Sequence, residues 1–365
     1  MRVVVAPNAF RGGPDAAAVA AAITAGVEAG APGSAVVRLP LADGGDGTLD
    51  TLAELLGARV ETASVRDLLG RPATARIAIS PEGTAALEMA DAAGVRLVAP
   101  EERDPFVSST RGVGEAVRAA LELGTREIVL GAGGSGTIDV GAGALAALGA
   151  RFLDANGTEL EATPHGLERV EAVDCRAVER LLRGVPLTVL SDVRTPLVDN
   201  LRVYGPQKGV RFETAGRLQA VVVRLAGLGP RRGIDVLHTE WLGAGGGLSG
   251  GLRAFAGARV EPGAAYLIRR ARLAAQLRGA DLLLTAEGRL DSTSGNGKLP
   301  LEAARAAAQH GVPAIVLAGA VAWNELPSLP AGVACTAVRA DGDTLDGIAS
   351  AAAEVARQEA TRRAQ

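Results

Sequence analysis

Short runs of valine, leucine and isoleucine alternate with alanine-rich stretches along most of this chain. Residues Arg2–Ala6 and Val36–Pro40 have the apolar, β-branched composition of buried strands, and Pro14–Ala29 between them has the composition of a helix. Strands that are joined by a helix pair in parallel, because the helix carries the chain back to the edge where the first strand began. A helix is predicted over Ala264–Leu277, and strand and helix predictions alternate from there to the C-terminus. The pattern therefore predicts an α/β protein with a parallel sheet covered by helices.

The pattern changes in the middle of the chain. Residues Arg59–Ala90 have the composition of several short strands joined by glycine- and proline-containing turns, which is typical of hairpins. A length of 365 residues leaves room for about two domains of ordinary size. We therefore expect one domain to be inserted into another, so that both chain ends contribute to the same sheet.

Composition excludes several classes of function. The net charge is −3 and aromatic residues make up 2% of the chain, so the basic, aromatic-rich surface of a nucleic-acid-binding protein is not expected. No apolar run reaches about 18 residues, so no membrane-spanning segment is expected, and the N-terminal apolar run is too short for a secretory signal. Cys175 and Cys335 are isolated, which argues against a disulfide framework or a metal site and favours a reduced, cytoplasmic environment.

Lysine is rare in this chain. Of the 38 residues that are Lys or Arg, only Lys208 and Lys298 are lysines, and both lie close to glycine. A flexible ammonium beside backbone that can be approached closely is suited to bind phosphate, where arginine would impose a planar fork. We predict that both lysines contact phosphate groups; the alternative is that a chain with so few lysines places them here by chance.

A first glycine-rich loop, Asp43–Thr48, follows a predicted strand and precedes a predicted helix. Ligands of open α/β sheets bind at the carboxyl ends of the strands, where this loop is expected. Asp43 and Asp46 could hold Mg²⁺ through oxygen atoms. The backbone amides of Gly44 and Gly45, together with the helix N-terminus, favour an anion. The alternative is an ordinary turn in which Asp46 caps the helix.

A second loop, Gly131–Thr137, matches the pattern G-x-G-x-x-G after a predicted strand. Because Asp154 follows at the spacing of about 20 residues, the loop could bind a dinucleotide in an oxidoreductase. It could equally bind the phosphates of another ligand, with the hydroxyls of Ser135 and Thr137 facing phosphate or metal. A third glycine run, Gly243–Gly251, is predicted to be a loop of close backbone approach.

Two further predicted strands end in charged residues. Glu287, Arg289 and Asp291 follow an apolar strand, where charges are costly unless they are paired or bind a ligand. The two carboxylates could bind a metal and the arginine could meet phosphate oxygens; the alternative for Arg289 is an ion pair within the turn. Asp192 also follows a strand, and is either a general base or a backbone cap.

The order of these segments resembles that of the bacterial glycerate kinase family. The segments that carry the resemblance are 6–13, 41–48, 133–141, 191–197, 204–209 and 285–298. Each is short, but their occurrence in this order along nearly the whole chain is specific. The chain departs from the family pattern at several positions: Arg11 replaces a lysine, Asn8 stands where Asp is frequent, Ser191 replaces a cysteine, and Gly136, Ile138 and Val140 alter the loop after the second glycine motif.

The resemblance implies a kinase that phosphorylates D-glycerate with ATP, usually at the 2-hydroxyl to give 2-phosphoglycerate. It also implies a Rossmann-like parallel-sheet domain built from both chain ends, placed here at residues 1–60 and 265–365, and an inserted α/β domain with a mixed sheet, residues 61–264. Three alternatives remain: a kinase for a related small hydroxy acid, a nicotinamide-dependent oxidoreductase that uses Gly131–Gly136, and a binding protein without activity on a kinase scaffold.

The predicted site then has three parts. Asp192, Lys208, Lys298 and Arg11 act in catalysis, with Asp192 as the base for the attacking hydroxyl. Residues Asn8, Asp43, Gly44, Gly45, Asp46, Gly133, Gly134, Ser135, Thr137 and Arg289 bind substrate or phosphate. Glu287 and Asp291 bind Mg²⁺. The expected partners are D-glycerate and ATP; nucleic acid and membranes are not expected, and a homo-oligomer is left open.

Overall fold

The computed structural model describes residues 1–10, 12–229, 234–295, 297–322, 324, 329, 333–337 and 344–365. The chain divides into two compact units: unit 1 comprises Met1–Asp43 and Ala264–Gln365, and unit 2 comprises Gly44–Gly263. Residues 44–60, which the sequence analysis assigned to the first domain, belong to unit 2. We propose that the two units are the two domains of the chain.

The described residues form strands and helices with the following bounds. The strands are β1 (Arg2–Val5), β2 (Ala35–Arg38), β3 (Arg59–Arg66), β4 (Pro72–Ile79), β5 (Thr84–Glu88), β6 (Glu127–Gly131), β7 (Arg151–Leu153), β8 (Glu159–Leu160), β9 (Ala172–Asp174), β10 (Leu187–Ser191), β11 (Arg259–Pro262), β12 (Leu282–Leu290), β13 (Ala314–Val321) and β14 (Val333–Ala337). The helices are α1 (Ala16–Gly30), α2 (Thr48–Leu56), α3 (Ala90–Ala93), α4 (Arg111–Glu122), α5 (Ala142–Ala147), α6 (Arg176–Leu181), α7 (Leu197–Tyr204), α8 (Phe212–Gly227), α9 (Leu248–Ala256), α10 (Gly263–Arg270), α11 (Leu273–Leu277), α12 (Leu299–Gln309) and α13 (Thr344–Ala364).

Unit 1 contains a parallel sheet with the strand order β14-β13-β12-β1-β2. The first strand of the chain is central: Val4 is paired with Leu283 on one side and with Val37 on the other. A central strand of a parallel sheet is covered on both faces, so it needs apolar side chains at consecutive positions. The run Val3–Val5, which is fully buried, meets this requirement.

Helices α1 and α13 pack against each other within unit 1. A Cβ added at Gly26 would lie 2.2 Å from the carbonyl oxygen of Ala349, and one at Gly30 would lie 2.1 Å from that of Ala353. No side chain fits at such distances, so the two glycines allow the helix backbones to approach closely.

Unit 2 contains a mixed sheet with the order β11-β10-β6-β5-β4-β3, and a small antiparallel sheet, β8-β7-β9. Strands β3, β4 and β5 are antiparallel neighbours, as the predicted hairpins require, whereas β5, β6, β10 and β11 run in parallel. The predicted fold class is therefore confirmed: a parallel sheet from both chain ends and an inserted α/β unit with a mixed sheet.

Some predicted helices differ from the structure at their ends or in their continuity. Helix α1 begins two residues later than predicted, because the carboxylate of Asp15 accepts a hydrogen bond from the Ala18 amide (2.7 Å) and caps the helix. The single helix predicted over Ala264–Leu277 is broken into α10 and α11, with Arg272 in the left-handed region (φ 51°). None of the described helices combines the length and the apolar character that crossing a membrane requires.

Candidate active site

The candidate site of unit 2 lies at the carboxyl ends of three neighbouring parallel strands. Glu88 at the end of β5 is paired with Gly131 at the end of β6, which is flanked on its other side by Leu190 of β10. The loops that follow these strands therefore leave the sheet at one edge. The second glycine loop and Asp192 lie in these loops, as predicted for ligand-binding segments.

Lys208 lies on the second glycine loop. Its side chain is buried, with 2% of the residue exposed, and Nζ donates hydrogen bonds to Ser135 Oγ (2.5 Å) and to the Thr137 carbonyl (3.0 Å). Burial lowers the pKa of Lys208 to about 8, while the charges of Asp192 and Asp139 act in the opposite direction. Because its hydrogen-bond acceptors are neutral, they do not cancel the positive charge of the ammonium, which can still attract an anionic ligand.

The glycines of the first two loops are required by close contacts within unit 2. The Gly133 amide donates to the Gly44 carbonyl (3.0 Å), and a Cβ added at Gly133 would lie 2.4 Å from Gly45 Cα and 2.8 Å from Asp192 Oδ2. At Gly44, where φ is 98°, a Cβ would lie 2.9 Å from the Leu190 carbonyl. The structure therefore brings the first loop, the second loop and the Asp192 carboxylate together.

Asp46 does not cap helix α2, so this alternative is wrong. The N-cap position is Gly47 with φ 86°, and no side chain forms a cap hydrogen bond there. Asp46 Oδ2 instead accepts a hydrogen bond from Nη2 of Arg96, and a Cβ added at Gly134 would lie 3.0 Å from Asp46 Oδ1. Arg96 was missed in the sequence analysis, because one arginine among many has no local signal.

The Glu88 side chain lies at the N-terminus of α2, where an anionic ligand was predicted to bind. Its Oε1 accepts a hydrogen bond from the Leu49 amide (2.7 Å), and burial raises its pKa to about 7. A carboxylate at this place satisfies one of the unpaired amides of the first turn. The amides of this helix are therefore partly used by the protein itself.

Asp139 is a second carboxylate that the sequence analysis missed. It is fully buried, and its oxygens accept hydrogen bonds from Thr110 N (2.8 Å), Thr110 Oγ1 (2.7 Å), Gly141 N (3.0 Å) and Gly143 N (3.1 Å). Burial raises its pKa although these hydrogen bonds act to lower it. The contacts fix the end of the second loop to the first turns of α4 and α5. An Asp directly before a glycine-containing turn was the available signal.

The third glycine run packs against the second loop and the residues that follow it, so its predicted close approach is confirmed. The predicted loop is wrong for its second half, because residues 248–251 form the first turn of α9. A Cβ added at Gly246 would lie 1.8 Å from the Thr137 carbonyl, and one at Gly251 would lie 1.8 Å from that of Val140. Among the described residues, Thr137 Oγ1 and Ser249 Oγ are buried without a hydrogen-bond partner. Buried hydroxyls of this kind are commonly satisfied by a water or a ligand.

The candidate residues of unit 1 also lie at one edge of their sheet. Strands β12, β1 and β2 are parallel neighbours, so the segments after β1 and β2 emerge beside the second half of β12. Asn8 donates from its backbone to the Ala286 carbonyl (3.0 Å) and from Nδ2 to Asp43 Oδ2 (3.1 Å). Asn8 and Asp43 are thereby brought next to the charged end of β12.

Glu287 and Lys298 form an ion pair in unit 1. Lys298 Nζ lies 3.0 Å from Glu287 Oε1. Glu287 is 8% exposed, and its Oε2 is buried with no hydrogen-bond partner among the described residues. Burial raises the pKa of Glu287 to about 7, and the charges of Asp43 and Asp291 act in the same direction. Burial acts to lower the pKa of Lys298, but the pairing with Glu287 together with the charges of Asp291 and Asp43 outweighs it, and the pKa is raised.

The remaining predicted residues differ in their placement. Glu287 and Arg289 were predicted to follow the strand, but both lie within β12, which continues to Leu290. Arg289 is exposed, and its Nε donates to Asp291 Oδ2 (3.2 Å), so it forms the ion pair that was the alternative to phosphate binding. Arg11 lies outside the described residues. Among the residues that the structure describes, no three His, Cys, Asp or Glu side chains are grouped as in a protein metal site.

These features define a class of protein before any comparison is made. A buried lysine on glycine-rich loops in one unit, and a lysine–carboxylate pair at a sheet edge in the other, are the parts that phosphoryl-transfer enzymes use to neutralise and position phosphate groups.

Comparison with known proteins identifies the family. The model of the glycerate kinase family matches residues 3–364. The glycerate kinase of Bacillus subtilis (strain 168) is 35% identical over 326 residues, 88% of this chain and 85% of that protein. The glycerate 2-kinase of Escherichia coli (strain K12) is 36% identical over 331 residues, 88% of this chain and 86% of that protein. The chain belongs to the glycerate kinase family and is a phosphotransferase that acts on an alcohol group.

A solved structure agrees with this assignment. The crystal structure of a Salmonella typhimurium LT2 protein assigned as glycerate kinase 2 superposes with a TM-score of 0.83 at 35% sequence identity. The alignment covers 100% of this chain and 98% of that one. The likeness therefore extends to both units.

Proposed function

We propose that this protein phosphorylates D-glycerate with ATP and Mg²⁺, at the 2-hydroxyl, to give 2-phosphoglycerate. The observation that carries the proposal is the buried ammonium of Lys208, which is held on Ser135 and Thr137 in the same loop that places Gly133 beside Asp192. A cation and a carboxylate that adjoin the same loop fit the transfer of a phosphoryl group to a hydroxyl.

We assign Lys208 to the phosphate that is transferred and Asp192 to the proton of the attacking hydroxyl. The ammonium offsets the negative charge of the phosphate oxygens, and its position costs no reorganisation because the loop already holds it. The Asp192 carboxylate accepts the proton that the 2-hydroxyl loses as its oxygen bonds to phosphorus. We assign Gly44, Gly45 and Gly134 to close approach of the backbone to the ligand.

We assign the residues of unit 1 to the remaining phosphate and cation contacts. Lys298 binds phosphate oxygens, and Asn8 and Asp43 provide polar groups for the ligand. Glu287 and Asp291 fit a hard cation such as Mg²⁺, because Glu287 Oε2 is an unpartnered oxygen and Mg²⁺ usually takes only one or two carboxylates besides phosphates and water. When bound, Mg²⁺ would neutralise charge on the phosphate oxygens.

The nicotinamide alternative has no support in unit 2. Asp154, the residue that would bind a ribose hydroxyl, accepts hydrogen bonds from the amides of Asn156 and Thr158 in an exposed turn after β7 of the small antiparallel sheet. The helix after the glycine motif, α5, has only six residues. These features differ from the strand, crossover helix and acidic residue of a dinucleotide site.

The test is ADP release with ATP, Mg²⁺ and D-glycerate, compared between the wild type, Lys208→Met and Lys298→Met. Methionine keeps the length of the side chain and removes its charge. We expect kcat to fall in each variant by about 10²–10³-fold, the range found when one charge-stabilising donor is removed. The position of the phosphate is read from the ³¹P–¹H coupling in the product.

Circular dichroism and thermal unfolding must first show that both variants are folded. Arg151→Gln, which removes an exposed charge from the small antiparallel sheet, is the control and should retain wild-type activity. Full activity of folded Lys208→Met would contradict the role of this lysine. If the wild type releases ADP with another hydroxy acid but not with D-glycerate, the proposed substrate is wrong.

A further inference from the structure

Arg96 is fixed to the same loop that holds Lys208. It lies in a short 3₁₀ turn, and the neighbouring Val95 amide donates to the Gly134 carbonyl (2.9 Å). Gly94 forms an isolated antiparallel bridge with Ser135. The backbone that carries Arg96 is therefore aligned with the loop by direct pairing.

A second arginine ties this segment to the segment of Lys208. Arg103 donates from Nη1 to the Gln207 carbonyl (3.0 Å) and from Nη2 to the Val95 carbonyl (3.3 Å). Gln207 directly precedes Lys208, and Val95 directly precedes Arg96. The two cations are therefore held in one connected framework within unit 2.

Charged side chains adjoin three consecutive residues of the loop. Asp192 adjoins Gly133, Asp46 adjoins Gly134, and Lys208 is bonded to Ser135. Arg96 completes this group through its hydrogen bond to Asp46. The two cations differ in exposure: 58% of the Arg96 side chain is exposed, whereas Lys208 is 2% exposed. Arg96 thus forms the solvent side of the group, and Lys208 its buried side.

The guanidinium of Arg96 retains donors for a ligand. Within the part of the chain that the structure describes, only Nη2 donates a hydrogen bond, and Asp46 is its acceptor. The Nε–H and Nη1–H groups remain, and a planar guanidinium presents its donors in the geometry of the two oxygens of a carboxylate. The hydrogen bond to Asp46 fixes the plane of the guanidinium, and the Asp46 carboxylate offsets part of its positive charge. This loss of charge weakens binding of a multiply charged phosphate more than binding of a carboxylate, which depends more on directed hydrogen bonds.

We propose that Arg96 binds the carboxylate of the hydroxy-acid substrate and thereby selects acids over neutral polyols, with Asp46 as the residue that positions it. The inference rests on the proposed function. In a 2-hydroxy acid the carboxylate and the reacting hydroxyl are on adjacent carbon atoms. Binding the carboxylate at Arg96 therefore leaves the hydroxyl beside the loop residues that adjoin Asp192 and Lys208.

The test compares steady-state kinetics of the wild type, Arg96→Gln and Arg96→Lys. The Michaelis constants for D-glycerate and for ATP are measured separately, and glycerol is tested as a neutral acceptor. We expect KM for D-glycerate to rise about 10- to 100-fold in Arg96→Gln, the effect of losing charged hydrogen bonds, with KM for ATP unchanged. The preference for D-glycerate over glycerol, expressed as the ratio of kcat/KM values, should fall by a similar factor. Lysine should restore only part of the effect, because it cannot bind a carboxylate with two parallel donors.

Arg151→Gln is the matched control, since Arg151 is similarly exposed (53%) and also pairs with a carboxylate, Glu159 (2.8 Å). A purely structural role of Arg96 would change both Michaelis constants or the thermal stability, and would overturn the inference. An unchanged KM for D-glycerate would overturn it too, and a rise confined to ATP would assign Arg96 to phosphate instead. These outcomes leave the proposed function intact, whereas a wild type that does not phosphorylate D-glycerate overturns the proposed function and the inference together.

Discussion

At the scale of single residues, the burial of Lys208 has a consequence for pH dependence. Taking an ammonium out of water lowers its pKa, here to about 8, because the hydrogen bonds to Ser135 and Thr137 are to neutral groups. The carboxylates that act on it, Asp192 and Asp139, oppose this lowering only in part. The charge that we assign to phosphate binding is therefore lost within an accessible pH range.

We predict that kcat/KM for ATP falls as the pH rises through about 8, because kcat/KM reports the ionisation of the free enzyme. Between this value and the ordinary lysine pKa of about 10.5 the unfolded chain binds a proton that folded Lys208 has lost, so this group makes the protein more stable as the pH rises, not less. The loss of activity should therefore occur without unfolding. The measurement is the pH profile of kcat/KM for ATP, beside thermal unfolding over the same range. A flat profile up to pH 10 would contradict an essential Lys208 ammonium.

At the scale of elements, glycines decide how closely helices approach loops and other helices. Helix α9 lies very near the residues that follow the second loop: a Cβ added at Gly251 would lie 1.8 Å from the Val140 carbonyl oxygen. Helix α8 also contains a glycine in its interior, Gly216, but no atom lies within 4 Å of its Cβ position. The same residue type thus has a packing role in one helix and none in the other.

We predict opposite effects of Gly251→Ala and Gly216→Ala. The first should lower the free energy of unfolding by about 1–3 kcal/mol, the usual cost of an overpacked site, and should reduce kcat because Val140 lies three residues after the second loop and its displacement would shift that loop. Gly216→Ala should raise the free energy of unfolding by about 0.5–1 kcal/mol, because alanine is the better helix former. Urea unfolding at equilibrium measures both. Equal effects of the two substitutions would show that the close approach of α9 is unimportant.

Periodicity of apolar residues predicted most strands of the two larger sheets, because the signal is local, but the edge strands β11 and β14 were missed. It also placed the glycine loops after strands, and so located most of the candidate site. It could not locate Glu88, Asp139 or Arg96, whose roles depend on partners 39, 29 and 50 residues away in the chain. The break between α10 and α11 was missed for a similar reason, since Arg272 takes a left-handed conformation without a glycine or proline to mark it.

At the scale of the whole molecule, the two units differ in how the chain builds them. Unit 2 is one continuous stretch, Gly44–Gly263, with its own sheets and core. Unit 1 needs both chain ends, because β1 is placed between β2 and β12 and α1 packs against α13. The continuous unit has what an independent domain requires, whereas residues 1–43 alone supply only two strands and one helix.

We predict that the fragment 44–263 folds by itself and that the fragment 1–43 does not. Trp241 is the only tryptophan of the larger fragment, so its fluorescence reports unfolding of unit 2 alone. Urea transitions followed by this fluorescence and by circular dichroism should coincide and be cooperative. Gradual transitions that differ between the two probes would contradict the independence of unit 2. The fragment 1–43 should have the circular dichroism spectrum of an unfolded peptide.

The central position of β1 has a consequence for the order of events on the ribosome. This strand is made long before its partner β12, which begins only at Leu282, so the strand must stay unpaired on one side while the residues between them are synthesised. Unit 2 is completely translated before that partner exists and can fold first. During this interval the short, very apolar segment of β1 lacks one of its two partner strands. The nascent protein therefore depends on unit 2 folding quickly and on the N-terminal segment being shielded until translation has passed β12.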